Sequence, residues 1–183
     1  MIGDDSLEVE KEVFKNSWLS KKFKLLKKKI FHVTIPSGFI GISNSGYIEP
    51  NDGTRKYSFP QTEKSYGLAK GYVCLFDFVT PSEDEIISQF FKWEWFFKIH
   101  RPFTLVLELD KESIAPYLIR NQEAKKEIGY SKFWIPYIEA WSIQPIPISA
   151  IENYYIVKYS QQKFTKVKDR ELLLQKCLNL YNK

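Results

Sequence analysis

The amino-acid sequence predicts one α+β domain, and three observations support this prediction. Strand-length apolar runs and amphipathic helical segments follow one another in the order helix, strand, loop, strand, helix, strand, helix, strand, strand, helix. The 183 residues suffice for one sizeable core. The 44% of hydrophobic residues and 16% of aromatic residues argue against disorder. No internal repeat or linker divides the chain, so we expect a single domain over 1–183.

The first third of the chain is predicted to hold a helix, a strand and a long loop. Apolar residues recur at near-helical spacing through 6–29, which makes 1–29 a helical, basic N-terminal extension. A strand at 30–35 ends at a proline and a glycine, and 37–48 read as a short helix or turn. Residues 49–70 are polar and rich in Gly, Ser, Lys and Tyr. Loops of this length in compact domains are usually functional.

The middle of the chain alternates strands and helices. Residues 71–79 predict a buried strand, and Ser82 followed by three acids marks a helix start that should extend to about Phe97. Residues 103–109 predict a further strand. A helical segment at 111–128 should break near its proline.

The end of the chain predicts two strands and a helix. The strands are expected at 133–143 and 154–159, and an amphipathic helix at 169–179 lies within a C-terminal helical segment, 161–183. The functional core would then span 30–160.

The chain carries a net charge of +5, and its lysines are concentrated before the first strand. Six of them lie close together: Lys21, Lys22, Lys24, Lys27, Lys28 and Lys29. A solvated helix face is one interpretation, and a surface that contacts nucleic-acid phosphates is another. A membrane-surface helix is a third, because apolar residues share the segment.

Cysteine and histidine usage argues against a metal site. Cys74 and Cys177 lie far apart and match no metal-binding spacing, and the chain has two histidines and no Cys-x-x-Cys. We therefore expect reduced thiols, no metal cofactor and a cytoplasmic protein. The apolar runs are shorter than the roughly 20 residues that span a bilayer. The acidic start lacks the pattern of a secretory signal.

Two titratable residues stand in apolar surroundings. Glu139 lies in the aromatic run 134–141, where an unpaired carboxylate is costly unless it has a basic partner or faces a cleft. His32 opens the apolar stretch 31–34. A histidine and a distant glutamate on two short strands suggest a catalytic pair that folding brings together.

The motifs around these residues resemble those of a known family. The segments concerned are Phe31-His32-Val33-Thr34, Lys56-Tyr57-Ser58-Phe59, Lys64-Ser65-Tyr66, Gly71-Tyr72-Val73-Cys74-Leu75-Phe76 and Tyr137-Ile138-Glu139-Ala140-Trp141. Their order and spacing resemble the His-Tyr-Glu branch of the ADP-ribosyltransferase superfamily. Residues 139–151 also resemble the last motif of bacterial DarT-type DNA ADP-ribosyltransferases. The resemblance covers 30–160 and implies an ADP-ribosyltransferase-like split mixed β-sheet with packed helices.

The resemblance implies a role for three residues of the first motif and for the glutamate. His32 would hydrogen-bond a ribose hydroxyl of NAD, the backbone of Val33 would hold the nicotinamide amide, and Thr34 would add a hydroxyl to the same site. Glu139 would stabilise the oxocarbenium-like ribose that forms as nicotinamide leaves.

The nicotinamide ring has two candidate sets of aromatic partners. The resemblance implies that Tyr57 and Tyr66 sandwich the cationic ring between flat aromatic faces. A second alignment of the motifs assigns this contact to Phe76 in the strand 71–79 instead.

The function implied is NAD-dependent mono-ADP-ribosyl transfer, with NAD as co-substrate. Small bacterial relatives are often toxins or defence effectors that a partner antitoxin neutralises. Arginine-targeting relatives carry a second glutamate two residues before the catalytic one, and here that position is Tyr137, which argues against an arginine acceptor. Tyr137 would instead stack on a base or pack on the sheet. With Lys27, Lys28 and Lys29 as candidate contacts, we expect a nucleic-acid acceptor, DNA or RNA. A protein acceptor and a non-catalytic nucleic-acid-binding or partner-binding module are the alternatives.

Overall fold

A computed structural model describes residues 4–53, 59–60, 62–99, 102–126 and 135–181. Its α-helices are α1 (Asp4–Asn16), α2 (Pro36–Ser45), α3 (Tyr66–Lys70), α4 (Glu83–Ile87), α5 (Phe90–Lys98), α6 (Lys111–Ile114), α7 (Asn121–Ala124) and α8 (Arg170–Leu178). Its strands are β1 (Ile30–Thr34), β2 (Tyr47–Ile48), β3 (Val73–Asp77), β4 (Thr104–Leu109), β5 (Leu118–Ile119), β6 (Glu139–Ser142), β7 (Ile146–Pro147), β8 (Ile151–Lys158) and β9 (Lys163–Val167).

Seven strands form one sheet in the order β5-β6-β3-β1-β4-β8-β9, and β2 pairs separately with β7. Every pairing between these strands is antiparallel. The predicted α+β class is confirmed. The described pairings are all antiparallel, however, whereas a split mixed sheet was expected, and β1 and β3 pair only at Ile30–Asp77 and Phe31–Phe76. Apolar patterning shows where strands lie but carries no information on their relative direction.

The sheet is covered on both faces, and its strands alternate between two cores. On β1, Ile30 faces a core that includes residues of α2 and α8, whereas Phe31 faces a core that includes residues of α1, α4 and α5. Because side chains alternate along a strand, both faces of a central strand must be apolar here. The N-terminal segment contributes to the second core through Phe14, Leu19, Phe23 and Leu26, which are all buried.

Several predicted helices are shorter than their periodicity suggested. The helix expected over 6–29 ends at Asn16 and is followed by a separate 3-10 helix, Ser20–Leu25. The Ser20 hydroxyl donates to the Ser17 carbonyl at 2.8 Å, a local bond that competes with continued helix. Likewise, the helix expected to extend from 83 to 97 is interrupted between α4 and α5, where Ser88 donates to the Glu85 carbonyl at 2.7 Å.

The predicted helix start at Ser82 is confirmed as a capping box. The Glu85 N–H donates to the Ser82 hydroxyl at 3.3 Å, and the Ser82 N–H donates to the Glu85 carboxylate at 2.8 Å. These two bonds satisfy donors that a helix N-terminus otherwise leaves without partners.

A close packing contact joins α3 to the sheet at Gly67. A Cβ atom at this position would lie 2.3 Å from Cys74 Sγ and 3.0 Å from Cδ1 of Trp141.

We therefore expect Gly67→Ala to lower the free energy of unfolding by about 1–3 kcal/mol in urea titrations. Gly41→Ala is the matched control, because Gly41 is an exposed helical position with nothing within 4 Å of the added atom. It should raise stability by about 0.5–1 kcal/mol. Equal effects at the two sites would contradict the tight contact.

Candidate functional site

A cavity of about 990 Å³ opens at the end of β1 and β3. Its wall includes the C-terminal half of β1, the start of α2, the segment after β2, residues of β3, one side of α5, and Glu139. Binding sites for cofactors and drug-sized ligands usually measure about 300–1,000 Å³. The cavity is therefore large enough for a dinucleotide.

His32 lies in this wall with its ring held by the neighbouring strand. Nδ1 lies 2.9 Å from the Cys74 carbonyl oxygen. A carbonyl only accepts, so Nδ1 carries the proton and Nε2 is left as an acceptor. Burial lowers the pKa of His32, although the bond to Cys74 acts in the opposite direction. At neutral pH the ring is therefore uncharged and can accept a hydrogen bond from a hydroxyl.

Glu139 begins β6 and lines the same cavity. One carboxylate oxygen accepts a hydrogen bond from the Ile135 N–H at 2.7 Å. Burial raises the pKa of Glu139 to about 7, with the Ile135 N–H opposing the shift. Within the described ranges, no lysine or arginine forms an ion pair with it. Among the described residues the carboxylate thus lacks the basic partner that a purely structural core glutamate would need.

Strand order brings the backbones of these two residues close together. Phe31 pairs with Phe76 across β1 and β3, and Phe76 pairs with Glu139 across β3 and β6. Two strand spacings of about 5 Å each separate the backbones of Phe31 and Glu139, so the distance is about 10 Å. His32 is the next residue along β1, so its side chain leaves the strand on the face opposite to that of Phe31. Both His32 and Glu139 nevertheless line the same cavity.

Three further predicted residues, Val33, Thr34 and Phe76, also line the cavity. Thr34 is only 4% exposed and borders the cavity at the end of β1. The Phe76 ring is stacked on Phe31 at 5.4 Å, which fixes its orientation in the wall.

The two predicted tyrosines are placed differently. Tyr57 lies outside the described residues. Tyr66 is buried at the start of α3, where its ring packs edge-on against Trp141 at 4.9 Å, and it is not among the residues that line the cavity. Tyr72 lines the cavity instead.

Tyr137 does not share a strand face with Glu139. The strand expected over 133–143 starts only at Glu139, and residues 136–138 form a turn in which Tyr137 has a φ of 66°. Its side chain is 47% exposed and borders a separate small hollow rather than the cavity. The comparison with a second glutamate two residues upstream therefore has no geometric basis here.

The candidate phosphate contacts lie away from the cavity, and two of them are paired with acids. Lys27 forms an ion pair with Glu83, and Lys29 contacts the buried Glu108 at 2.6 Å. Burial lowers the pKa of Lys29, but hydrogen bonds to Glu108 and Tyr155 outweigh this and raise it overall. Lys28 is exposed with a φ of 62°. Two of the three lysines thus serve contacts within the fold.

Sequence reasoning missed part of the aromatic wall. Trp93 and Phe97 are buried, whereas Trp95 and Phe96 line the cavity and Phe91 is exposed at its edge. With 3.6 residues per turn, Trp93 and Phe97 lie on one face of α5, whereas Phe91 and Trp95 lie on another. The sequence could therefore have separated the buried face from the face that lines the cavity.

The comparisons with known proteins add little to this geometry. No protein-family model matches the sequence, and no curated protein matches it. The fold is similar to the X-ray structure of protein CC0527 from Caulobacter crescentus, with a TM-score of 0.41 and 12% identity over 69% of this chain and 83% of that chain. At this TM-score the similarity carries no argument about function.

Metal binding and membrane crossing have no matching feature in the described part of the chain. It holds no group of three or more His, Cys, Asp or Glu side chains arranged to bind a metal ion. None of its helices combines the length and apolar character that crossing a membrane requires.

The raised pKa of Glu139 predicts a cost to stability at alkaline pH. Between pH 4.5 and about 7 the native state keeps a proton that the unfolded chain has released, so stability should fall as pH rises through this window. Glu139→Gln removes the charge but keeps an oxygen for the Ile135 N–H. We expect the variant to exceed the wild type by about 1–3 kcal/mol at pH 8 and to match it at pH 4 in urea titrations.

The control for this measurement is Glu152→Gln, an exposed acid on β8, which should leave the pH dependence unchanged. Absence of any gain from Glu139→Gln at pH 8 would contradict a buried, unpaired carboxylate.

The Lys29–Glu108 pair predicts a stability role for the basic segment. Lys29→Gln leaves the buried carboxylate without its cation and should cost on the order of 2 kcal/mol at pH 7. Burial alone would raise the pKa of Glu108, but hydrogen bonds from Lys29 and Tyr155 hold it below its ordinary value. The contribution is therefore present above the ordinary pKa of glutamic acid and disappears as pH falls through the lowered one. Exposed Lys24→Gln should be neutral, and an equal effect of both changes would refute the pairing.

Proposed function

We propose that the protein is a NAD-dependent mono-ADP-ribosyltransferase. The observation that carries this proposal is the placement of a neutral histidine and an unpaired carboxylate in one dinucleotide-sized cavity. This placement supports the motif resemblance, since sequence spacing alone does not fix which strands are neighbours.

The carboxylate suits the charge that develops in the reaction. The bond between ribose C1 and the nicotinamide nitrogen breaks, its electron pair leaves with neutral nicotinamide, and positive charge grows on the ribose. Ionised Glu139 would stabilise that charge in a site from which water is largely excluded. An acceptor oxygen or nitrogen then bonds to C1 and releases its proton to solvent.

The other lining residues suit the cofactor. Nε2 of His32 would accept from a ribose hydroxyl, while the Val33 backbone and the Thr34 hydroxyl would hold the nicotinamide amide. The aromatic side chains of Phe76 and Tyr72 offer flat surfaces for a cationic ring.

For the acceptor, we propose a nucleic acid, and with it a role as a toxin or defence effector held in check by an antitoxin. Support comes from the rim of the cavity, where the exposed ring of Phe91 stands beside Lys92. An exposed aromatic next to a cation suits a stacked base and its phosphate. The pairing of Lys27 and Lys29 with acids favours the alternative, a protein acceptor.

Incubation with labelled NAD and separate pools of DNA, RNA and protein tests both parts of the proposal. We expect the wild type to label a nucleic-acid pool, and Glu139→Gln to reduce labelling by on the order of a hundredfold or more while still binding NAD in calorimetry. Glu152→Gln should label normally. Labelling of protein alone would change the acceptor, and absence of NAD binding would favour a non-catalytic binding module.

A further inference from the structure

The segment just before Glu139 is a tight, hydrogen-bonded turn. The Ile138 N–H donates to the Pro136 carbonyl at 2.8 Å, which closes a γ-turn centred on Tyr137. The Glu139 N–H donates to the Ile135 carbonyl at 3.1 Å, and the Ile135 N–H donates to the Glu139 side chain at 2.7 Å. The two ends of the turn are thus joined through backbone and carboxylate alike.

Asn121 connects these same two ends from outside the turn. It is 7% exposed at the start of α7, and its side-chain amide donates to the carbonyl oxygens of Ile135 and Glu139, each at 3.3 Å. One NH₂ group carries two hydrogens, so it can serve both acceptors at once. Asn121 therefore holds Ile135 and Glu139 at a fixed separation. That separation decides whether the Ile135 N–H can reach the Glu139 carboxylate.

The backbone at Tyr137 makes this external support necessary. A φ of 66° is unfavourable for a bulky side chain, and such conformations persist only where surrounding contacts determine them. At the far side of the turn, the Asp77 N–H donates to the Ile138 carbonyl at 2.7 Å. Strand β3 and the side chain of Asn121 therefore hold a strained turn from two directions.

We propose that Asn121 is a positioning residue, which keeps the 135–139 turn closed so that the Ile135 N–H stays on the Glu139 carboxylate. The catalytic part of this inference rests on the proposed function, whereas the positioning part does not. Without the amide, the turn opens, the carboxylate loses its backbone donor and its ionised form becomes less favourable.

Other ionisable groups line the same cavity as Glu139, and their charges can influence its pKa. They are His32 on β1, Tyr47 on β2, Glu49 after β2, Tyr72 before β3, Cys74 on β3 and Lys92 on α5. The Cys74 thiol has a raised pKa through burial and through the nearby Glu139, so it stays neutral across the range concerned. Substitution of Asn121 changes none of these groups, which makes it a clean perturbation of Glu139.

The test is a ¹³C NMR titration of the Glu139 carboxyl, combined with the pH profile of NAD cleavage. The wild-type carboxyl should titrate at about 7. Asn121→Ala should raise this value by about one unit or more, and the acid limb of the rate profile should move with it. At pH 7 the ionised fraction, and with it the rate, would fall about fivefold, with most of the loss recovered at pH 9. Gln122→Ala, the exposed neighbour on α7, should leave both readouts unchanged.

A second pair of variants covers the case in which Asn121→Ala does not fold. Tyr137→Gly permits a positive φ and should leave the Glu139 pKa in place, whereas β-branched Tyr137→Val should raise it as Asn121→Ala does. A wild-type pKa in both Asn121→Ala and Tyr137→Val would overturn the proposal. If the pKa of Glu139 moves as expected but neither the wild type nor any variant cleaves NAD, the positioning inference stands and the proposed function fails.

Discussion

The antiparallel register of β1, β3 and β6 is the constraint on which the site depends. It places Phe31 opposite Phe76 and Phe76 opposite Glu139, so that three segments distant in sequence meet in one row of the sheet. The same register brings the Cys74 carbonyl to the His32 ring and thereby selects its tautomer. Because a shift of one residue would send alternate side chains to the opposite face, the two apolar cores that enforce the register also enforce the site.

The strands, and the histidine and glutamate that line the cavity, were predictable from sequence, because both depend on local contrast. An acid or a histidine within an apolar run is conspicuous, and β1, β3, β4 and β8 are each rich in apolar residues. Strand direction, the antiparallel pairing of the sheet, and the short strands β2, β5 and β7 depend on tertiary pairing that no local pattern encodes.

The positions of Tyr66, Tyr137 and Lys29 were not predictable for a related reason. The environments of Tyr66 and Lys29 are decided by distant partners, Trp141 for Tyr66 and Glu108 for Lys29. The comparison of position 137 with position 139 assumed that both residues lie on one strand and face the same side. A γ-turn at Tyr137 interrupts that strand. The position of Asn121 beside the 135–139 turn was not predictable, since an asparagine in a polar stretch has no distinguishing sequence signal.

The outer strand β9 has a consequence for how the chain meets copies of itself. Among the described residues the seven-stranded sheet ends in β5 and β9, and open sheet edges can recruit strands from other molecules. At one end the edge strand β5 has only two residues. At the other, the exposed Lys163 and Lys166 line β9, so two copies approaching edge to edge would oppose like charges. The sheet is therefore protected from polymerising through its hydrogen-bonding edges, independently of what occupies the cavity.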